Sequence, residues 1–142
     1  MLPIKRHTEL EFALIAQRIK VLTLRVQIQI LDYSETYANL FIGPIALFPV
    51  SMRDHITLIR EKYDAQDWNA FLSKNQDALY RINARAIPRT SKEYPVLLKQ
   101  TSRAPPILYV RGSIEQLHMP QIAIVGSRRM TRVGQQNALS WS

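Results

Sequence analysis

The chain has 142 residues, of which 46% are hydrophobic and 21% are charged. That composition is typical of one globular domain, or of a small domain plus part of another. The absence of cysteine excludes disulfides, thiolate catalysis and cysteine-ligated metals, and it fits a reducing compartment such as the cytoplasm. The formal net charge of +8 predicts an acidic partner, with nucleic acid or another polyphosphate favoured.

Metal and membrane functions find little support in the sequence. His7, His55 and His118 lie far apart and show no ligand spacing. The longest nearly unbroken apolar run, residues 40–50, is well short of the roughly 20 residues that cross a bilayer. Glu9 and Glu11 follow the N-terminal basic pair, which argues against a secretory signal. We therefore expect no metal, no cofactor and no membrane contact.

The first third of the chain has helical signals. Thr8 followed by Glu11 has the spacing of a capping box that opens a helix. Residues 25–30 alternate polar and apolar side chains as a strand does, but their surroundings favour a helix, which we predict. Gly43-Pro44 predicts a break, and residues 40–50 predict a buried helix junction.

Two more helices are predicted before the first strand. Ser51 is the expected cap of a helix that ends near Tyr63, and Asp67 is the expected cap of one that ends near Leu79. The aromatic residues of these helices are expected to pack in the core. Residues 81–87 predict a weak strand, because their alternation is irregular.

The segment 88–95 is the predicted boundary between two parts. We expect an N-terminal helical domain over residues 1–80 and an α/β domain over residues 81–142. In the second part, residues 96–100 predict one helical turn, and residues 107–110 predict a strand that ends at Gly112.

The most informative stretch is 121–134, QIAIVGSRRMTRVG. Residues 122–125 have the pattern of a strand that is buried on both faces, and Gly126 ends it. Ser127 is the expected cap of the turn that follows, Thr131 offers a second hydroxyl, and Gly134 leaves room for close approach. Backbone N–H groups at such a strand-to-helix turn attract anions.

Three arginines add positive charge to this turn, namely Arg128, Arg129 and Arg132. A guanidinium fork suits phosphate oxygens. Residues 97–142 hold six basic side chains and one acidic one, a net +5 of the total +8. The glycine spacing matches neither the dinucleotide fingerprint nor the Walker loop. Solvated arginines beside an ordinary α/β turn remain the alternative interpretation.

Three motifs follow one another in the second part of the chain. They are Tyr94-Pro95-x-x-Leu98, then Pro105-Pro106-Ile107-Leu108-Tyr109-Val110-Arg111-Gly112, then Pro120-Gln121-Ile122-Ala123-Ile124-Val125-Gly126-Ser127-Arg128 with Thr131 and Gly134. In this order they resemble the DNA-processing protein A family, also called DprA or Smf. Ile42-Gly43-Pro44 also looks like the helical-hairpin turn of that family.

The resemblance implies an N-terminal helical domain followed by the first strands of a truncated Rossmann-like domain. It implies a protein that binds single-stranded DNA, protects it in natural transformation and helps to load the RecA recombinase. Gly126, Ser127 and Arg128, with Thr131 and Gly134, are the implied DNA-binding residues, and we add Arg129 and Arg132 from their charge. The later parts of the family pattern, which include surfaces for dimerisation and RecA, are expected beyond Ser142.

Two alternatives stay open. A nucleotide or nucleoside-phosphate hydrolase of a related Rossmann-like family would use the same turn for a small phosphate ligand, although no nucleophile and base pair is visible. The other alternative is an inert fragment whose helices merely fold. A non-enzymatic binding protein is the leading hypothesis.

Overall fold

The computed structural model describes residues 7–121, 123, 125, 126 and 129–141. It shows a mixed α/β protein that is rich in helix, which confirms the predicted class at that level. In chain order the elements are α1 (Glu9–Arg18), α2 (Leu24–Ser34), α3 (Tyr37–Ile42), α4 (Val50–Asp64), α5 (Asn69–Arg81), β1 (Ala84–Pro88), α6 (Val96–Lys99), β2 (Ile107–Arg111) and α7 (Arg132–Trp141). Within the described residues, no helix combines the length and the apolar character that a membrane span requires.

Side-chain caps fix the starts of α1 and α2. The Thr8 hydroxyl accepts from the Glu11 N–H at 3.3 Å, and the Glu11 carboxylate accepts from the Thr8 N–H at 2.6 Å. The predicted capping box is therefore confirmed. The Thr23 hydroxyl caps α2 by accepting from the Val26 N–H. Residues 25–30 are helical as predicted, since the cap and the helical neighbours outweigh the alternating pattern.

The short helix α3 is held at both ends by side chains from other helices. The Glu9 carboxylate accepts from the backbone N–H groups of Tyr37 and Ala38 at 2.7 and 3.0 Å. At the other end, the Arg60 guanidinium donates to the carbonyls of Leu40 and Asn39. A carboxylate at the N-terminus and a cation at the C-terminus match the helix dipole. Burial lowers the pKa of Arg60.

Gly43 ends α3 because no side chain fits there. A Cβ at this position would lie 2.7 Å from the Asn39 carbonyl oxygen, which is closer than side chains pack. The predicted break at Gly43-Pro44 is thus confirmed. The prediction of a buried junction over residues 40–50 is only half right: Leu40, Phe41 and Phe48 are buried, whereas Ile42, Ile45, Leu47 and Val50 are exposed.

The predicted cap at Ser51 is wrong, and that at Asp67 is shifted. Helix α4 begins at Val50 directly after Pro49, so Ser51 already lies inside the first turn. The fixed φ of proline prepares a helix start without a side-chain cap. Helix α5 begins at Asn69 after Trp68, and the Asp67 carboxylate accepts from the Asn69 N–H at 3.0 Å, one residue before the cap position.

The main core lies among α1 to α5. The Phe12 ring stacks on Phe41 with centroids 5.5 Å apart, and the ring of Tyr63 tilts against both. Trp68 and Leu72 are buried in the same cluster, and Phe71 packs against it. The expected core role of the aromatic residues in α4 and α5 is confirmed.

The sheet consists of β1 and β2, which pair antiparallel with Ala84 opposite Arg111 and Pro88 opposite Ile107. On one face, Ala86 and Ile107 pack against the helical core. On the other, Ile87, Leu108 and Val110 pack with Tyr94 and Ile114 in a second, smaller core. Gly112 follows β2 with φ +107°, a conformation that favours glycine. Both ends of this strand agree with the sequence prediction.

The observed strands differ from the predicted ones in start and direction. Strand β1 begins at Ala84 because α5 continues to Arg81, so the predicted start at residue 81 is wrong. The two strands are antiparallel, whereas a Rossmann-like sheet is mostly parallel.

In the predicted strand 122–125, Ala123 and Val125 are exposed and belong to no strand, and Ile122 and Ile124 lie outside the described residues. The described sheet contains only β1 and β2, so Ala123 and Val125 are not part of it. The division into domains 1–80 and 81–142 stays a prediction.

Candidate anion-binding site

Three of the predicted site residues, Thr131, Arg132 and Gly134, lie at the start of α7. The Thr131 hydroxyl accepts from the Gly134 N–H at 3.1 Å, and the Thr131 carbonyl accepts from the Gln135 N–H at 3.0 Å. Both bonds are those of a helix N-cap residue. Thr131 is therefore the N-cap of α7, and its hydroxyl oxygen already accepts a hydrogen bond from a helix N–H group.

Gly134 lies three residues after this cap. A Cβ at Gly134 would be 3.2 Å from the Thr131 hydroxyl oxygen, which is tighter than ordinary van der Waals contact. The absence of a side chain lets the hydroxyl approach the helix backbone closely. The structure thus brings Thr131 and Gly134 together, and it gives the glycine a local reason.

The cationic residues of the site are only partly described. Arg129 and Arg132 are exposed, and Arg132 is the first residue of α7. Gly126 is also exposed, and a Cβ at Gly126 would meet no described atom within 4 Å. Ser127 and Arg128, the other two predicted site residues, lie outside the described residues. Whether Ser127 caps a turn stays a prediction, whereas Thr131 caps α7.

The chemistry of this helix start suits an anion. The first N–H groups of a helix have no intrahelical partner and carry a partial positive charge. The first turn of α7 contains no acidic residue, and Arg132 stands in it. Cations together with free N–H groups attract phosphate or carboxylate groups.

The surroundings of the site are apolar as well as basic. Val125 is 89% exposed, and Met130 and Val133 are 63% and 65% exposed. Apolar side chains beside cations fit a ligand that has both a charged backbone and flat, weakly polar groups. The apolar run at 122–125 predicts that Val125 is buried in a sheet, whereas the structure exposes it.

The earlier motif residues are structural. Tyr94 is 2% exposed, and its hydroxyl donates to the Pro105 carbonyl at 2.8 Å. This bond ties the first motif to the second and closes the smaller core. Burial raises the pKa of Tyr94, and the nearby Arg89 opposes the rise. Spacing alone gave no signal for this bond, since the two residues are eleven positions apart.

The part of the chain that the structure describes offers no set of side chains that could bind a metal ion. That part contains no group of three or more His, Asp or Glu side chains placed to hold an ion. The features present are a helical core, a small sheet and a cationic helix start. Together they define a mixed α/β protein whose helix α7 begins with a basic residue.

Comparison with known proteins finds a family that the C-terminal part of the chain resembles. The family model described as DNA recombination-mediator protein A matches residues 85–142. The match confirms the resemblance found in the sequence over these residues. The searches of curated proteins and of solved structures returned no match.

Proposed function

We propose that this chain binds single-stranded DNA in the cytoplasm through the start of α7, as part of a recombination mediator. In this proposal the bound strand is protected during natural transformation, and RecA is loaded onto it. The site consists of Gly126, Ser127, Arg128, Arg129, Thr131, Arg132 and Gly134.

One observation carries the proposal. The match to a DNA recombination-mediator family covers the whole predicted site, from Gly126 to Gly134. The matched segment includes residues 97–142, which hold a net +5 of the total charge of +8. A sequence-independent DNA contact depends on such charge, because cations displace counterions from the phosphates.

The described geometry supports the binding of an unpaired strand. Arg132 stands at the N-terminus of α7, where backbone and side chain offer charge of the same sign. The exposed Val125, Met130 and Val133 offer apolar contacts to bases that are free of a duplex. This role needs no chemical step by the protein, so we propose a binding function without catalysis.

The remaining parts of the proposal rest on family membership alone. We propose that the antiparallel pair of β1 and β2 adjoins a Rossmann-like sheet in the full protein. Dimerisation and RecA contact are proposed for surfaces outside the described residues.

Fluorescence anisotropy with a labelled oligonucleotide of about 16 nucleotides tests the proposal. We expect binding to the single strand that weakens about tenfold in Arg128→Ala and in Arg132→Ala, since each removes a charged contact to phosphate. Arg81→Ala is the matched control, because Arg81 is exposed on α5, far along the chain from the site.

Three results would contradict the proposal. Unchanged affinity in both variants would remove the site. Displacement of the oligonucleotide by mononucleotides at low concentration would favour the nucleotide hydrolase. The absence of binding by the unaltered chain would leave a folded fragment without this function.

A further inference from the structure

A groove separates α2 from the loop that follows α6. Its volume is about 590 Å³, and its lining residues are Leu24, Arg25, Ile28, Gln29, Ser102 and Arg103. Leu24 and Ile28 are four positions apart on α2, so they lie on one face of the helix and form an apolar floor. Arg25 and Arg103 come from opposite walls. No carboxylate lines this groove.

The two arginines of the groove differ from most of the arginines in the helical core. Arg53 and Arg60 donate to backbone carbonyls and so have structural partners. Across residues 7–121 and the described residues beyond them, the side chains of Arg25 and Arg103 form neither a hydrogen bond nor an ion pair. Their guanidinium groups are therefore available to a ligand.

Helix stability gives no reason for Arg25. It stands in the first turn of α2, directly after the cap residue Thr23 and Leu24, and no acidic residue accompanies it there. A cation at a helix N-terminus opposes the helix dipole, and acidic residues are preferred. The local charge of the helix start and that of Arg25 thus add at one end of the groove.

The groove has a defined end. At Ile28 it adjoins a second cavity of about 270 Å³, whose lining includes Asp32 and Glu35 as well as Arg89 and Lys99. The charges of that lining balance, so the second cavity attracts a polyanion less than the groove does. An anionic ligand would therefore occupy the end between Arg25 and Arg103 and stop short of Asp32.

We infer that the groove between Arg25 and Arg103 is a second contact for single-stranded DNA, separate in sequence from the start of α7. Guanidinium groups pair with phosphates, and the floor of Leu24 and Ile28 packs against an unpaired base. Ser102 and Arg103 belong to the segment that matches the recombination-mediator family, which favours DNA over an acidic peptide. The inference rests on the proposed DNA binding, and it adds the helical region to the surface that a bound strand follows.

The test compares two double variants in anisotropy titrations with a labelled single strand of about 16 nucleotides. Arg25→Ala with Arg103→Ala removes two charges from the groove. Lys74→Ala with Arg81→Ala is the matched control, since it removes two exposed charges from α5. All four side chains are exposed, and circular dichroism checks that each variant folds.

We expect the groove variant to lose about tenfold in affinity, and its log–log salt slope to become less steep by about 1.4, as two phosphate contacts are lost. The α5 variant is expected to bind the single strand with nearly the affinity of the unaltered chain. A second readout is photocrosslinking to an oligonucleotide that carries 5-iodouracil, with adducts expected on α2.

The outcomes separate the two proposals. If the unaltered chain binds no DNA, the proposed function itself fails. If it binds and the groove variant matches the α5 variant in affinity and slope, the groove inference is overturned while the proposed function stands. Loss of binding to a labelled acidic peptide, with DNA binding unchanged, would also overturn it in favour of a peptide groove.

Discussion

The helical region, residues 7–82, and the C-terminal segment, residues 119–141, differ in the burial of their apolar side chains. In the helical region, Phe12, Ile30 and Ile59 are almost fully buried. In the C-terminal segment, Val125, Met130 and Val133 are largely exposed. Burial of apolar surface is the main source of stability. The helical region therefore contributes more to the stability of the described structure than the C-terminal segment does.

The largest expected effect tests the stability of the helical region. Phe12→Ala should lower the free energy of unfolding by about 3–5 kcal/mol, because Phe12 contacts both Phe41 and Tyr63 and its removal leaves a cavity. Val133→Ala in the C-terminal segment should change it by less than about 0.5 kcal/mol. Urea unfolding measures both. Equal losses of unfolding free energy in the two variants would show that the two regions contribute equally to stability.

A medium effect concerns the link between the helical region and the chain after β1. The Glu9 carboxylate accepts from the Tyr37 and Ala38 N–H groups and from the Thr90 hydroxyl. Glu9→Gln keeps the shape but weakens these charged bonds, and should cost about 1–3 kcal/mol of unfolding free energy. Glu61→Gln, at an exposed position of α4, is the matched control. A loss of the same size in the control would show that Glu9 has no special role.

The smallest effect is local to the C-terminal segment. Thr131→Ala removes the cap of α7 and should destabilise that helix by about 1 kcal/mol, with little change in global unfolding. Hydrogen exchange at the Gly134 and Gln135 amides should accelerate about fivefold. Thr131→Ser should restore the slower exchange. Unchanged exchange in the alanine variant would mean that the cap does not hold α7.

Local signals predicted many of the elements between Thr8 and Gly112. The Thr8 and Glu11 pair, the Gly43-Pro44 break and the run up to Gly112 all correspond to elements that the structure shows. Each of these signals acts within a few residues. The predicted cap at Ser51 is wrong because α4 already begins after Pro49, whose fixed φ prepares a helix start without a side-chain cap.

Contacts between distant residues could not be predicted. The apolar run at 122–125 predicts a strand, yet a strand forms only where another strand offers hydrogen bonds, and the described residues of the run, Ala123 and Val125, belong to no strand. No local pattern indicates that the Glu9 carboxylate accepts from the Tyr37 N–H and the Thr90 hydroxyl, which lie 28 and 81 residues away. For the site, the sequence indicated the residues and their charge, whereas the cap made by Thr131 and the exposure of Val125 required the structure.

The salt dependence of single-strand binding tests the central claim most directly. If four to six cationic side chains contact phosphates, the logarithm of the binding constant should fall with the logarithm of the salt concentration with a slope of about −3 to −4. Arg128→Ala should make the slope less steep by about 0.7, the share of one contact. A slope near zero, or a slope that Arg128→Ala leaves unchanged, would contradict a phosphate-binding site at the start of α7.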